Sequence, residues 1–77
     1  MEMFVLNETE QDGSATTVGV FDSPDISDAT LAKYYGDELE VVEMRDVRDS
    51  GIEWQKKILV NGVGGILTLH YFTVGEI

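Results

Sequence analysis

Seventy-seven residues suffice for one domain, an acidic unit over 1–77, and leave no room for a second. Cysteine is absent, which excludes a disulfide framework, and no apolar run approaches the roughly 20 residues that a membrane helix needs. Fifteen Asp and Glu against five Lys and Arg give a net charge of -10, yet 43% of the residues are hydrophobic, so the composition is that of a folded chain with an acidic surface and not of a disordered tail.

The first ten residues carry Glu2, Glu8 and Glu10 and no base, which is wrong for a secretory signal. The chain therefore reads as a complete, soluble, cytoplasmic small protein beginning at Met1, with no membrane association. Met3 to Leu6 is a short apolar run compatible with a strand. Asn7 to Ser14 is polar and acidic and contains Gly13, so it reads as a loop. Ala15 to Phe21 is rich in β-branched residues and alternates, which predicts a strand. These two strands form a hairpin, or Met3 to Leu6 pairs elsewhere in the sheet.

Pro24 cannot donate to a ladder and ends that strand. A two-turn helix follows, with Ser27 as N-cap, Asp28 favouring the positive end of the dipole, and Ile26 and Leu31 placed as a hydrophobic staple. Gly36 is the expected left-handed stop. A helix so short must be held by docking Leu31 and either Tyr34 or Tyr35 on the sheet.

Leu39 to Val47 reads as a strand, and Arg48 to Gly51 as the turn into the hairpin that organises the chain. Along that hairpin Ile52, Trp54, Ile58 and Val60 alternate, then Asn61-Gly62 marks a type I′ turn, then Val63, Leu67, Leu69 and Tyr71 alternate. Val60 is expected to face Val63, Trp54 Leu69, Ile52 Tyr71, Glu53 His70 and Gln55 Thr68. The hairpin before it has two possible registers. One sets Glu43 opposite Lys56 and Arg45 over Trp54; the other, preferred because burial fixes register more strongly than exposed ion pairs, puts Val42 and Met44 on the Trp54 face. Gly64 and Gly65 suggest a bulge or a close backbone approach. The expected fold is α+β: a small antiparallel sheet of four to five strands with one short helix packed on it, in ββαβββ order.

No nucleophile elbow, catalytic cysteine or phosphate loop is present, and the chain reads as non-enzymatic, with no cofactor. His70, the one histidine, reads as half of a cross-strand polar pair in preference to a general base. Asp22, Asp25 and Asp28 lack the spacing of an EF-hand loop, and capping explains two of them, so no metal is assigned. The negative field opposes direct nucleic-acid binding and attracts proteins whose surfaces are basic because they bind nucleic acid. Carboxylates two apart on a strand repeat at roughly 7 Å, comparable to a row of phosphates.

The leading expectation is accordingly a protein-binding inhibitor or regulator that mimics nucleic acid. Such behaviour is typical of small acidic phage proteins, anti-CRISPR proteins among them, although no motif here identifies a family. The residues expected to carry it are Glu8, Glu10 and Asp12 in the first loop, Asp22, Asp25 and Asp28 around the helix start, and Asp37, Glu38 and Glu40 after it. The alternative is a self-associating or accessory module that binds through a sheet edge and aromatic residues, as in a homodimer, with acidity serving solubility.

Overall fold

The computed structural model describes residues 1–75. In chain order the elements are β1 (Glu2–Glu10), β2 (Ala15–Phe21), α1 (Asp28–Tyr35), a 3₁₀ turn (Gly36–Glu38), β3 (Leu39–Asp49), β4 (Ile52–Val60) and β5 (Val63–Thr73). The strands make one antiparallel sheet in the order β2-β1-β5-β4-β3. One short helix lies across it, an α+β architecture with the last strand at the centre and the strands on either side of α1 at the two edges.

Alternation decides which side of the sheet is buried. Phe4 and Leu6 of β1, Trp54 and Ile58 of β4, and Leu67 and Leu69 of β5 face the helix, and with Ile26 and Leu31 they form the buried core. Leu31 has no exposed surface, and burying it is worth roughly 1.5–3 kcal/mol to a helix too short to persist alone. Local chemistry sets the helix limits. Ser27 caps the backbone N–H of Thr30 at 3.2 Å, and Gly36 stops the helix at φ 76°. Both tyrosines dock. Tyr35 packs on the core, while Tyr34 meets Phe21 edge-on at 6.2 Å over Gly19, where a Cβ would come within 3.3 Å of the Tyr34 hydroxyl.

The Asn61-Gly62 turn has positive φ at both positions (51° and 81°), as a type I′ turn requires. Val60 pairs with Val63, Trp54 with Leu69 and Gln55 with Thr68. Beyond Trp54 the register slips, so that Ile52 pairs with His70 and not with Tyr71, and Glu53 does not oppose His70. β4 carries one extra residue there, Glu53, and the Arg48 guanidinium binds it and, at 3.0 Å, Glu2.

Both candidate registers of the β3–β4 hairpin are present, on opposite sides of a bulge. Met44 pairs with Lys56 and Asp46 with Trp54, whereas Val41 pairs with Ile58 and Leu39 with Val60. Val42 occupies the irregularity between the two stretches, without a partner on β4, and is exposed. A second irregularity lets β3 run to Asp49, and the turn is only Ser50-Gly51, again with positive φ at both positions (53° and 81°).

The first hairpin also differs from expectation. β1 runs to Glu10, so Glu8 and Glu10 are strand residues and only Gln11 to Ser14 form the connection. β1 is paired on both sides, with β2 and with β5, which is why a polar stretch such as Asn7 to Glu10 remains extended. No bulge follows the Asn61-Gly62 turn. At Gly64 a Cβ would lie 3.0 Å from the Gln11 side-chain nitrogen, the end of a flexible side chain and not backbone, and at Gly65 it would find ordinary contacts from 3.5 Å.

Candidate functional site

Antiparallel pairing brings six of the nine expected carboxylates to one end of the sheet. Glu8 and Glu10 come from the end of β1, Asp12 from the β1–β2 connection, Asp37 and Glu38 from the 3₁₀ turn, and Glu40 from the start of β3. The backbone closes this end: Asn61 of the β4–β5 turn donates its N–H to the Glu38 carbonyl at 3.2 Å. Glu8, Glu10 and Asp12 line a shallow hollow of about 500 Å³ whose floor is Tyr35, Val60, Val63 and Gly64. α1 points its C-terminus this way, adding the negative end of its dipole to the carboxylates.

One carboxylate here is held charged and one phenol is held neutral. Ser14 donates to Asp12 from its hydroxyl at 2.6 Å and its backbone N–H at 2.9 Å, and these bonds hold the Asp12 carboxyl below the usual aspartate range. Burial, with Glu8 and then Glu10 beside it, pushes the Tyr35 phenol far above its ordinary value. Its hydroxyl is buried with no hydrogen-bond partner among the described residues.

Asp22, Asp25 and Asp28 lie at the opposite end, where β2 passes into α1, and do not join the other six. Asp28 is engaged internally. Its carboxylate accepts from the Lys56 ammonium at 3.2 Å, which also donates to the Ile26 carbonyl at 3.3 Å and stands 4.9 Å from the centre of the Trp54 ring. The Trp54 indole N–H donates to the Pro24 carbonyl at 2.9 Å, so this trio fastens the connection and not a ligand. Among the described residues no three acidic, histidine or cysteine side chains converge as a metal site.

Sequence reasoning missed Lys56 and Arg48. Lys56 is 6% exposed on an otherwise apolar face; its even position among Trp54, Ile58 and Val60 was the available signal. Arg48, with positive φ, sits 4.5 Å over the Tyr71 ring and joins the ends of β1 and β4 through Glu2 and Glu53. The ion pairs among the described residues are these two and Lys56–Asp28, none of which involves the six-carboxylate end.

The two sheet edges differ. β3 carries charges and two irregularities, both of which discourage strand addition, whereas β2 is a seven-residue edge with one irregularity, at Val18, and no charged side chain. No helix among the described residues is long and apolar enough to cross a membrane. Comparison with protein-family models, with curated proteins and with solved structures found no match to this chain.

Proposed function

We propose that this chain is a non-enzymatic inhibitor or regulator that binds a basic, nucleic-acid-binding protein, its six-carboxylate end standing in for phosphates. The observation that carries this reading is the segregation of charge. Glu8, Glu10, Asp12, Asp37, Glu38 and Glu40 gather at one end, while the ion pairs among the described residues lie elsewhere. Carboxylates without an ion-pair partner among the described residues can make charge-assisted hydrogen bonds to Lys and Arg of another protein, and a field of one sign accelerates encounter with an oppositely charged surface.

The test is capture from nuclease-treated extract of the source cell on immobilised protein, followed by a salt gradient and then competition between the purified partner's nucleic acid and this chain. The expected partner elutes as salt rises, because screening acts on exposed pairs. It also releases its nucleic acid when this chain takes its place. Reversing Glu10, Asp12 and Glu38 together should weaken binding by roughly tenfold or more, at about 1.4 kcal/mol per decade, and reversing Asp22 and Asp25 should do much less. Unchanged affinity after both reversals would sink the mimic reading.

A second reading rests on the uncharged outer edge of β2. There a partner strand would add by backbone hydrogen bonds. Complex formation would then survive high salt and slow hydrogen exchange along β2.

A further inference from the structure

α1 covers one face of the sheet; the other carries no element of the described chain. On this open face β1 presents Met3, Val5, Asn7 and Thr9, the alternates of its core residues, and β5 presents Ile66, Thr68, His70 and Phe72. By the same alternation β2 adds Val20, Thr17 and Ala15. None of these is Asp, Glu, Lys or Arg. The charged side chains of this face stand on the β3–β4 side: Glu40, Glu43 and Asp49 against Arg45 and Lys57. Among the described residues, three acids less two bases leave -1 on this face, against -10 for the whole chain. A chain with this many carboxylates thus keeps one broad surface almost neutral.

The same face is partly apolar and exposed. Val20, Phe72 and Ile66 are 59%, 54% and 42% exposed. A polar row crosses all five strands between them, from Thr17 to Asn7, Thr68, Gln55 and Arg45. Gln55 donates to Thr68 at 3.4 Å, and the Asn7 side-chain oxygen is buried without a partner among the described residues. Such an acceptor is costly to leave unmade.

We propose that this open face closes on the same face of a second copy about a two-fold axis running along β5. β5 is the middle strand of five, so that axis lays the two sheets fully over one another. It sets β1 over the partner's β4 and β2 over the partner's β3. The charged strip of each copy then meets the uncharged β2 of the other, with no like charges opposed, and the Asn7 row position falls over that of Gln55, an amide donor. Sheets so stacked pack about 10 Å apart. Four strand spacings by some nine residues cover roughly 600 Å² per copy, which reaches the lower end of standard interfaces at ~1,200 Å² in total. A basic partner gains little from a face with one net charge, whereas a second -10 chain finds here the one broad approach without opposing carboxylates.

Sedimentation equilibrium of the full chain tests this. The expected species has twice the 8.5 kDa of one chain and tightens as salt rises, because screening relieves repulsion between two acidic bodies. Ile66→Glu and Phe72→Glu, at exposed positions, should each weaken the dimer roughly tenfold or more with an unchanged circular dichroism spectrum. Independently of folding in those variants, Ile66→Cys should be trapped as a covalent dimer by a short thiol cross-linker, whereas Ala29→Cys, exposed on α1, should not. A wild type of single-chain mass throughout the micromolar range overturns the proposal. So does a dimer that survives both glutamates, or one trapped through α1 and not through β5.

Discussion

Lys56 is the clearest case of a single side chain fixing more than its own surroundings. Its ammonium is buried, and its three neighbours come from the β2–α1 connection, from α1 and from β4. Lys56→Met keeps the aliphatic stem and leaves the Ile26 carbonyl without a donor, so the expected cost is about 1–3 kcal/mol, read as a lower urea midpoint. Asp28→Asn should cost under about 1 kcal/mol, because Asp28 is exposed and a pair open to water on one side contributes little. Asp12 offers a titration in the opposite sense to burial. Its folded pKa is depressed by Ser14, so its contribution to stability is complete above the ordinary aspartate range and is lost as pH falls through the lower folded value. Ser14→Ala should move the Asp12 carboxyl back toward the ordinary range, as followed by the NMR titration of its side-chain carbon.

At the scale of elements, the helix stands on its caps and its staple. Ser27→Ala should destabilise the protein by about 1 kcal/mol, measurable by thermal unfolding, since Ser27 satisfies the Thr30 N–H. This much was legible: Ser27, Asp28 and Gly36 announce the helix through backbone chemistry confined to one turn at each end, and Asn61-Gly62 announces its hairpin in the same way. The strand pairings that failed are those that local chemistry does not decide. Neither register of β3 was complete, because Val42 bulges out and lets Met44 meet Lys56 while Val41 meets Ile58. The true length of β1 depends on β5, which pairs with it from the far end of the chain. For the candidate site, residue type pointed to the carboxylates, but only pairing could sort them. Glu8, Glu10 and Glu40 share an end with Asp12, Asp37 and Glu38, and Asp28 turns out to be occupied by Lys56, whose place on the buried face the sequence reading missed.

For the whole molecule, charge works against compaction. A net charge of -10 on 77 residues repels itself, and the ion pairs among the described residues do not reach the six-carboxylate end. Moderate salt should therefore stabilise the fold by something on the order of 1 kcal/mol, about 4–8 °C in the unfolding temperature of a domain this size, as a melt in low and high sodium chloride would show. A midpoint that falls with salt would mean that the Arg48 and Lys56 pairs outweigh the repulsion.

The central place of β5 also dictates when this protein can fold. β1 and β4 are joined through β5 alone, so until Val63–Thr73 has left the ribosome, neither inner strand has its second neighbour and Leu67 and Leu69 are missing from the core. Nascent β1–β2 and β3–β4 hairpins can form early but remain marginal, since isolated hairpins lack a face to bury. Folding must then wait for contacts between the two extremes of the chain, which places it among slow, non-local folders. The stability of this fold thus waits on its fifth strand.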